Sequence, residues 1–169
     1  GANGRAVIDV DAEVEATYAG AIVEILGGGG AVEQRVFHPD GNSSSPCTTD
    51  LSSTWFLADG YTVGEARHEV LLMNPADDQV VVDVEFLTDD GVRRPSAYTG
   101  YPVPARSTRI IDVGAEGAGA RGETRVGVVV TASRGALLVA RASSADDESR
   151  GGVTVSPAAP VTAEQWWFA

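Results

Sequence analysis

The sequence predicts an all-β fold of packed antiparallel sheets, and three observations carry that prediction. Apolar and polar residues alternate with period two along much of the chain, as in strands with one buried face. Turn signals built on Gly, Pro, Asn and Asp recur roughly every ten residues, the spacing of short antiparallel strands. No stretch carries the 3.6-residue apolar stripe of an amphipathic helix.

In order, the first predicted strand is Ile8–Ala16, where Asp9, Asp11, Glu13 and Glu15 alternate with apolar residues and place four acids on a solvated face. Ala21–Leu26 and Ala31–His38 follow, the latter ending at a Pro39-Asp40-Gly41-Asn42 turn. Glu69–Met73 ends at Asn74-Pro75, because proline has no N–H for a ladder and Asn suits a turn. Val80–Phe86 runs to the Asp89-Asp90-Gly91 turn, and Tyr98–Val103 and Thr108–Val113 come next. Arg125–Ala132, Ala136–Ala142 and Gly152–Val155 complete the set, with a Ser133-Arg134-Gly135 turn between the first two and a looser joint at 145–151. Their β-branched and aromatic content suits a pleated, half-buried surface.

The chain also repeats itself. Ser45 and Ser156, Pro46 and Pro157, Trp55 and Trp166, and Ala58 and Ala169 each stand 111 positions apart. Ala19–Val23 resembles Arg134–Leu138 at a separation of 115. A period near 110 residues is the length of one small sandwich domain. The predicted organisation is an Ig-like β-sandwich of one complete unit plus part of a preceding unit. Residues 1–53 form the tail of a preceding repeat, and 54–169 a complete unit ending in the start of the next. Gln165–Ala169 then carries three adjacent aromatics, which are expected to dock on the half-unit Val7–Ser53 or on a neighbouring molecule.

Charge narrows the function classes. With 24 acidic and 12 basic residues the net charge is −12, which disfavours phosphate backbones and anionic lipid, so no nucleic-acid partner is expected. Every basic residue is Arg, a bias that fits a GC-rich bacterial source. Cys47 stands alone, so no internal disulfide framework exists, although pairing outside this chain stays open.

Trp55-Phe56-Leu57-Ala58-Asp59-Gly60, Leu71-Leu72-Met73-Asn74-Pro75, Val80–Phe86 with Asp90-Gly91, and Val103-Pro104-Ala105-Arg106-Ser107 together resemble a recurring bacterial pattern. It is similar to a domain of unknown function in uncharacterised secreted or membrane-anchored actinobacterial proteins, and to tandem Ig-like surface repeats. The resemblance implies a sandwich fold and an extracytoplasmic setting, and singles out Trp55, Phe56, Asn74, Pro75, Trp166 and Trp167 as structural motif residues. Other envelope proteins or glycans are the partners it implies. Incomplete units add the option of a homodimer, and any membrane contact comes through an anchor outside this chain.

Candidate chemistry is thin. Gly117–Gly122 matches G-x-G-x-x-G, but a strand-like Val126–Val130 follows where a dinucleotide site needs a helix. Asp9, Asp11 and Glu13 have the spacing of the first calcium-loop ligands. Val14 and Gly20 stand where the loop's Gly and final carboxylate belong, so the trio is at most a weak cation site. His38, His68 and Cys47 are the conventional nucleophile–base candidates, with nothing local to join them. No cofactor is expected. The reading is a non-catalytic structural or interaction module of the bacterial cell envelope. The alternative is a carbohydrate-binding module using exposed aromatics such as Tyr61, Tyr98, Tyr101 and the Trp residues, and a hydrolase is the weakest option.

Overall fold

The computed structural model describes residues 4–39, 41–145 and 152–166. Eleven strands and one 3₁₀ turn make up its regular structure: β1 (Glu33–His38), β2 (Gly41–Pro46), β3 (Thr54–Gly60), β4 (Arg67–Asn74), β5 (Val80–Thr88), β6 (Gly91–Arg93), the turn Ser96–Tyr98, β7 (Tyr101–Val103), β8 (Ser107–Asp112), β9 (Val126–Arg134), β10 (Leu138–Ala145) and β11 (Gly152–Pro157). All pairings are antiparallel. One sheet runs β11-β10-β4-β8. The other runs β3-β9-β5-β6, with β7 also on β5. Alternation drives the inward residues of both sheets into one core: Val70, Leu72, Ile111 and Val139 from the first, Trp55, Leu57, Val82, Val84, Phe86, Val128 and Val130 from the second. The fold is therefore the all-β, Ig-like sandwich that the sequence predicts.

β1 and β2 form a separate hairpin whose registry runs from Glu33↔Pro46 to His38↔Gly41. It lies beside β11. The Val155 N–H donates to Ser43 Oγ at 2.9 Å, and that hydroxyl donates to the Val155 carbonyl at 3.3 Å. Gly41 sits against Gly152 and Val153, so β2 runs parallel to the edge it covers.

Three expectations need correction. Ile8–Ala16 is not a strand: Val10–Glu13 makes a turn, with Glu13 and Val14 N–H both donating to the Val10 carbonyl. The alternation is real, but a strand needs a ladder neighbour and this segment has none among the described residues. Asp9, Asp11 and Glu13 are exposed, Asp11 and Glu13 on that turn and Asp9 just before it, none of them on a pleated face. Ala21–Leu26 is likewise exposed and without strand structure. Trp166 is 57% exposed and its indole N–H turns back to the Ala163 carbonyl, so it is not covered by the N-terminal half-unit. Trp167, Asp40 and most of the joint at 145–151 lie outside the described residues.

Three strands were not expected from the sequence, the short β6 after the Asp89-Asp90-Gly91 turn among them. β2 is Ser-rich and lacks apolar alternation, and β3 coincides with the Trp motif itself. Among the described residues no helix is long and apolar enough to cross a membrane.

Candidate interaction site

The hairpin seam is one half of the site. β10 and β11 pair from Ala140↔Pro157 to Ala145↔Gly152, six pairs in a row. β1 and β2 pair through six pairs in the same register, each β1 residue standing 107 positions before its β10 counterpart and each β2 residue 111 before its β11 counterpart. Side chains follow suit. Gln34 Nε2 donates to Ser45 Oγ at 2.9 Å, and at the equivalent positions Arg141 Nε donates to Ser156 Oγ at 3.2 Å. After each Ser-Pro step the chain makes the same backbone bond, Cys47 N to Val32 O and Ala158 N to Val139 O. The difference between 107 and 111 falls between the strands of each hairpin, where insertions do least harm. Because β10 corresponds to the strand from Glu33, Leu138 matches Ala31, and the 115-residue match of Ala19–Val23 is not part of this equivalence.

Beside the seam lies an open polar cleft of about 500 Å³, lined by Asn42, Asp59, Tyr61, Arg141, Ser143 and Thr154 among others. Arg141, in its lining, spans the two sheets, donating from Nη1 to the Ala58 carbonyl at 2.6 Å. The β3 register breaks between Leu57 and Gly60, and Asp59 takes a left-handed φ of 57° there. That bulge explains Ala58-Asp59-Gly60: Asp tolerates the left-handed turn better than most residues, and Gly60 leaves room for the buried His68 ring.

His68 Nδ1 stands 3.0 Å from Ser143 Oγ, while Nε2 is buried without a hydrogen-bond partner. Burial, helped by the Arg141 charge and opposed by Asp112, pushes its pKa down to about 4. The imidazole is therefore neutral near pH 7. A Ser–His relay needs a third group orienting the far nitrogen, and that nitrogen has none here. Next to His68, Glu69 accepts from Tyr18 Oη at 2.5 Å and from Arg67 at 3.0 Å. Burial and the Glu69 contact together push the Tyr18 pKa up. This pins the N-terminal segment onto β4, where Gly20 also packs against Met73.

The remaining motif pieces knit one loop cluster. Asn74 is buried, and its amide donates to the carbonyls of Asp78, Val103 and Pro104 while accepting from Ala76 N–H. Arg106 N–H returns to the Ala76 carbonyl, so Asn-Pro and Val-Pro-Ala-Arg-Ser are two sides of one joint. Trp55 is fully buried, with its indole N–H shared between the Leu137 carbonyl at 2.9 Å and that of Ser52 at 3.2 Å. Half-buried Phe56 exchanges both backbone bonds with Ala159, tying the β11 exit to β3. Pro75 is half-buried at the joint.

A model built on a family of unknown function, DUF5719, matches residues 26–166, most of the chain. The chain belongs to this DUF5719 family. No curated protein matches the DUF5719 chain. Among solved structures it is similar to a Thermotoga maritima protein, "Thermotoga maritima 1070", at 12% identity, covering 64% of this chain and 93% of that one with a TM-score of 0.51. The Anabaena sensory rhodopsin transducer aligns at 19% identity over 55% of this chain and 95% of its own, with a TM-score of 0.42. The first likeness speaks to fold alone.

For the DUF5719 chain, the remaining candidates are dispersed. Among the described residues no group of three or more His, Cys, Asp or Glu could hold a metal ion. Cys47 is exposed after β2, while His68 is buried between the sheets. Gly117–Gly122 is a loop held by Thr62, whose hydroxyl donates to the Ala120 carbonyl and whose backbone bonds Gly122 and Glu123, and β9 follows it. Tyr98 packs edge-on between Phe86 and Tyr101 at the core margin. The residues that sequence reasoning missed are Arg141, Ser143 and Ser43. The Asp-Gly step inside a strand-like run was the available signal for a bulge at the cleft.

Proposed function

We propose that this DUF5719 chain is a non-catalytic repeat module with a structural or interaction role in the bacterial cell envelope, held outside the cytoplasm by secretion or an anchor. The observation that carries the reading is the hairpin equivalence: β1–β2 reproduces β10–β11 in register, side-chain bond and exit bond, and is seated on β11. Proteins made of stacked, similar units gain length and surface rather than a reaction centre. The acidic surface and the resemblance to secreted and anchored bacterial proteins support the setting. Protease treatment of intact cells of the native host tests it. Degradation of the protein without lysis is the expected result, and full protection until the cells are broken overturns the extracytoplasmic reading.

One observation favours a second reading, a carbohydrate-binding module. The cleft beside the seam offers Asp59, Arg141, Asn42 and Tyr61, the mixture of charge, amide and ring that sugar hydroxyls and ring faces use. Trp55, being core, does not belong to it. Saturable binding of envelope glycans that is lost in Asp59→Ala would put this reading first.

A further inference from the structure

We propose that residues 8–46 can supply the last three strands of a second sandwich, with β1 and β2 already formed and 8–16 becoming a strand only beside its sheet neighbours, and that the outer edge of β1 is built to receive a β4-type strand from a β3–β8 set of this same fold. The proposal rests on the repeat reading above and names the partner. In the complete unit, β10 has two neighbours: β11 on one side, and β4 on the other through seven pairs from Leu138↔Met73 to Ser144↔Arg67. β1 has only β2, so among the described residues the edge equivalent to the β4 side of β10 carries no strand. An open edge of unpaired N–H and C=O groups is a template for another strand.

Moving the β10–β4 register back by 107 positions gives a specific pairing. Arg35 falls opposite a Glu69-type carboxylate, where the complete unit has Ala142. Phe37, 77% exposed here, falls opposite an Arg67-type guanidinium. Both are favourable cross-strand pairs. The inward positions agree as well: Val32, Gln34 and Val36 are half-buried and match Val139, Arg141 and Ser143.

The segment before the hairpin tells the same story. Val10, Ala12, Val14 and Ala16 stand 116 positions before Val126, Val128, Val130 and Ala132, the inward face of β9. β9 is the middle strand between β3 and β5, whereas 8–16 has neither neighbour among the described residues and leaves Ile8 and Val14 exposed. A sequence patterned for a central strand but lacking both flanking strands is a donor awaiting its sheet.

The test is a fusion carrying a second copy of residues 52–119 directly ahead of Gly4, which gives 8–16 the same spacing from the copied strands that 124–132 has from residues 52–119 in the complete unit. Amide hydrogen exchange at 10–16 and 31–38 is expected to slow by about 100-fold relative to the unextended chain, as strand amides join a cooperative sheet. Exchange at both segments unchanged from the unextended chain overturns the proposal. In the fusion, Arg35→Glu should lower protection of β1, and Glu69→Arg in the added copy should restore it. Failure of that rescue overturns the register. Cell-surface exposure, the test of the envelope reading, is a separate measurement and fails independently.

Discussion

The His68 imidazole lies against the bare Cα of Gly60, so close that a Cβ at Gly60 would stand 2.5 Å from Nε2. The contact joins β4 of one sheet to the bulged end of β3 in the other, and no backbone strain is involved at Gly60 itself. Gly60→Ala is therefore expected to destabilise the fold by about 1–3 kcal/mol, as an overpacked core does. Urea unfolding measures it, and His68→Ala in the same chain should recover part of the loss by vacating the space.

His68 also gives the fold a pH dependence. Its folded pKa of about 4 lies below the unfolded value of 6.5, so between those values the unfolded chain binds the extra proton. Stability from this group is complete above about pH 6.5 and is lost as pH falls toward 4, roughly 3 kcal/mol at most. NMR titration of the imidazole should show no protonation step at pH 6–7. A midpoint near 6.5 in the folded protein would show that the ring is solvated.

Trp55→Ala should cost about 3–5 kcal/mol, the range for emptying a large aromatic site in a core. The ring is fully buried, and its N–H serves two carbonyls. Trp55→Phe keeps most of the volume and loses only the indole N–H, while both carbonyls keep their backbone bonds in the Ser52–Leu137 bridge, so it should fall between the wild type and the Ala variant. Chemical denaturation of the three proteins gives the order.

Asn74→Ala removes an amide that meets three carbonyls and one N–H at the joint between β4 and β8. Because those partners are largely buried, the loss should be at least about 2 kcal/mol. Asn74→Asp keeps the acceptor for Ala76 but places a carboxylate against three carbonyl oxygens. It should be as harmful as Ala at neutral pH and partly rescued on acidification, which thermal melts at two pH values resolve.

The sequence made some of this legible and hid the rest for physical reasons. β5 and β9 are readable because alternation and turn chemistry agree: Val82-Asp83-Val84-Glu85-Phe86 ends at Asp89-Asp90, and the structure pairs Thr88 with Gly91 there. Ile8–Ala16 has as clear a pattern and forms no strand, since pattern specifies a face and a ladder needs a neighbour. β2 is the converse. Gly41-Asn42-Ser43-Ser44-Ser45-Pro46 carries no apolar period, and its strand conformation comes from β1 on one side and Val155 on the other. The Asp59–Arg141–His68 region was out of reach because its members come from β3, β10 and β4. Only the Asp-Gly step and the Ser-Pro repeat pointed toward that end of the molecule.

The seam itself yields the last prediction. Ser43 Oγ is bonded to both the N–H and the carbonyl of Val155, at an edge where water could replace it. Ser43→Ala should therefore cost under about 1 kcal/mol in global stability, because the freed groups rehydrate. Its effect should be local: the Val155 amide is expected to exchange several-fold faster, while amides of β9 in the core of the other sheet stay unchanged. Ser43→Val, which keeps the bulk without the hydroxyl, should behave as Ala does if the hydrogen bonds hold the hairpin, and as wild type if packing does. Hydrogen exchange by NMR on the three proteins separates these outcomes. Unchanged Val155 exchange in both variants would mean that the hairpin does not rest on β11 in solution through this residue.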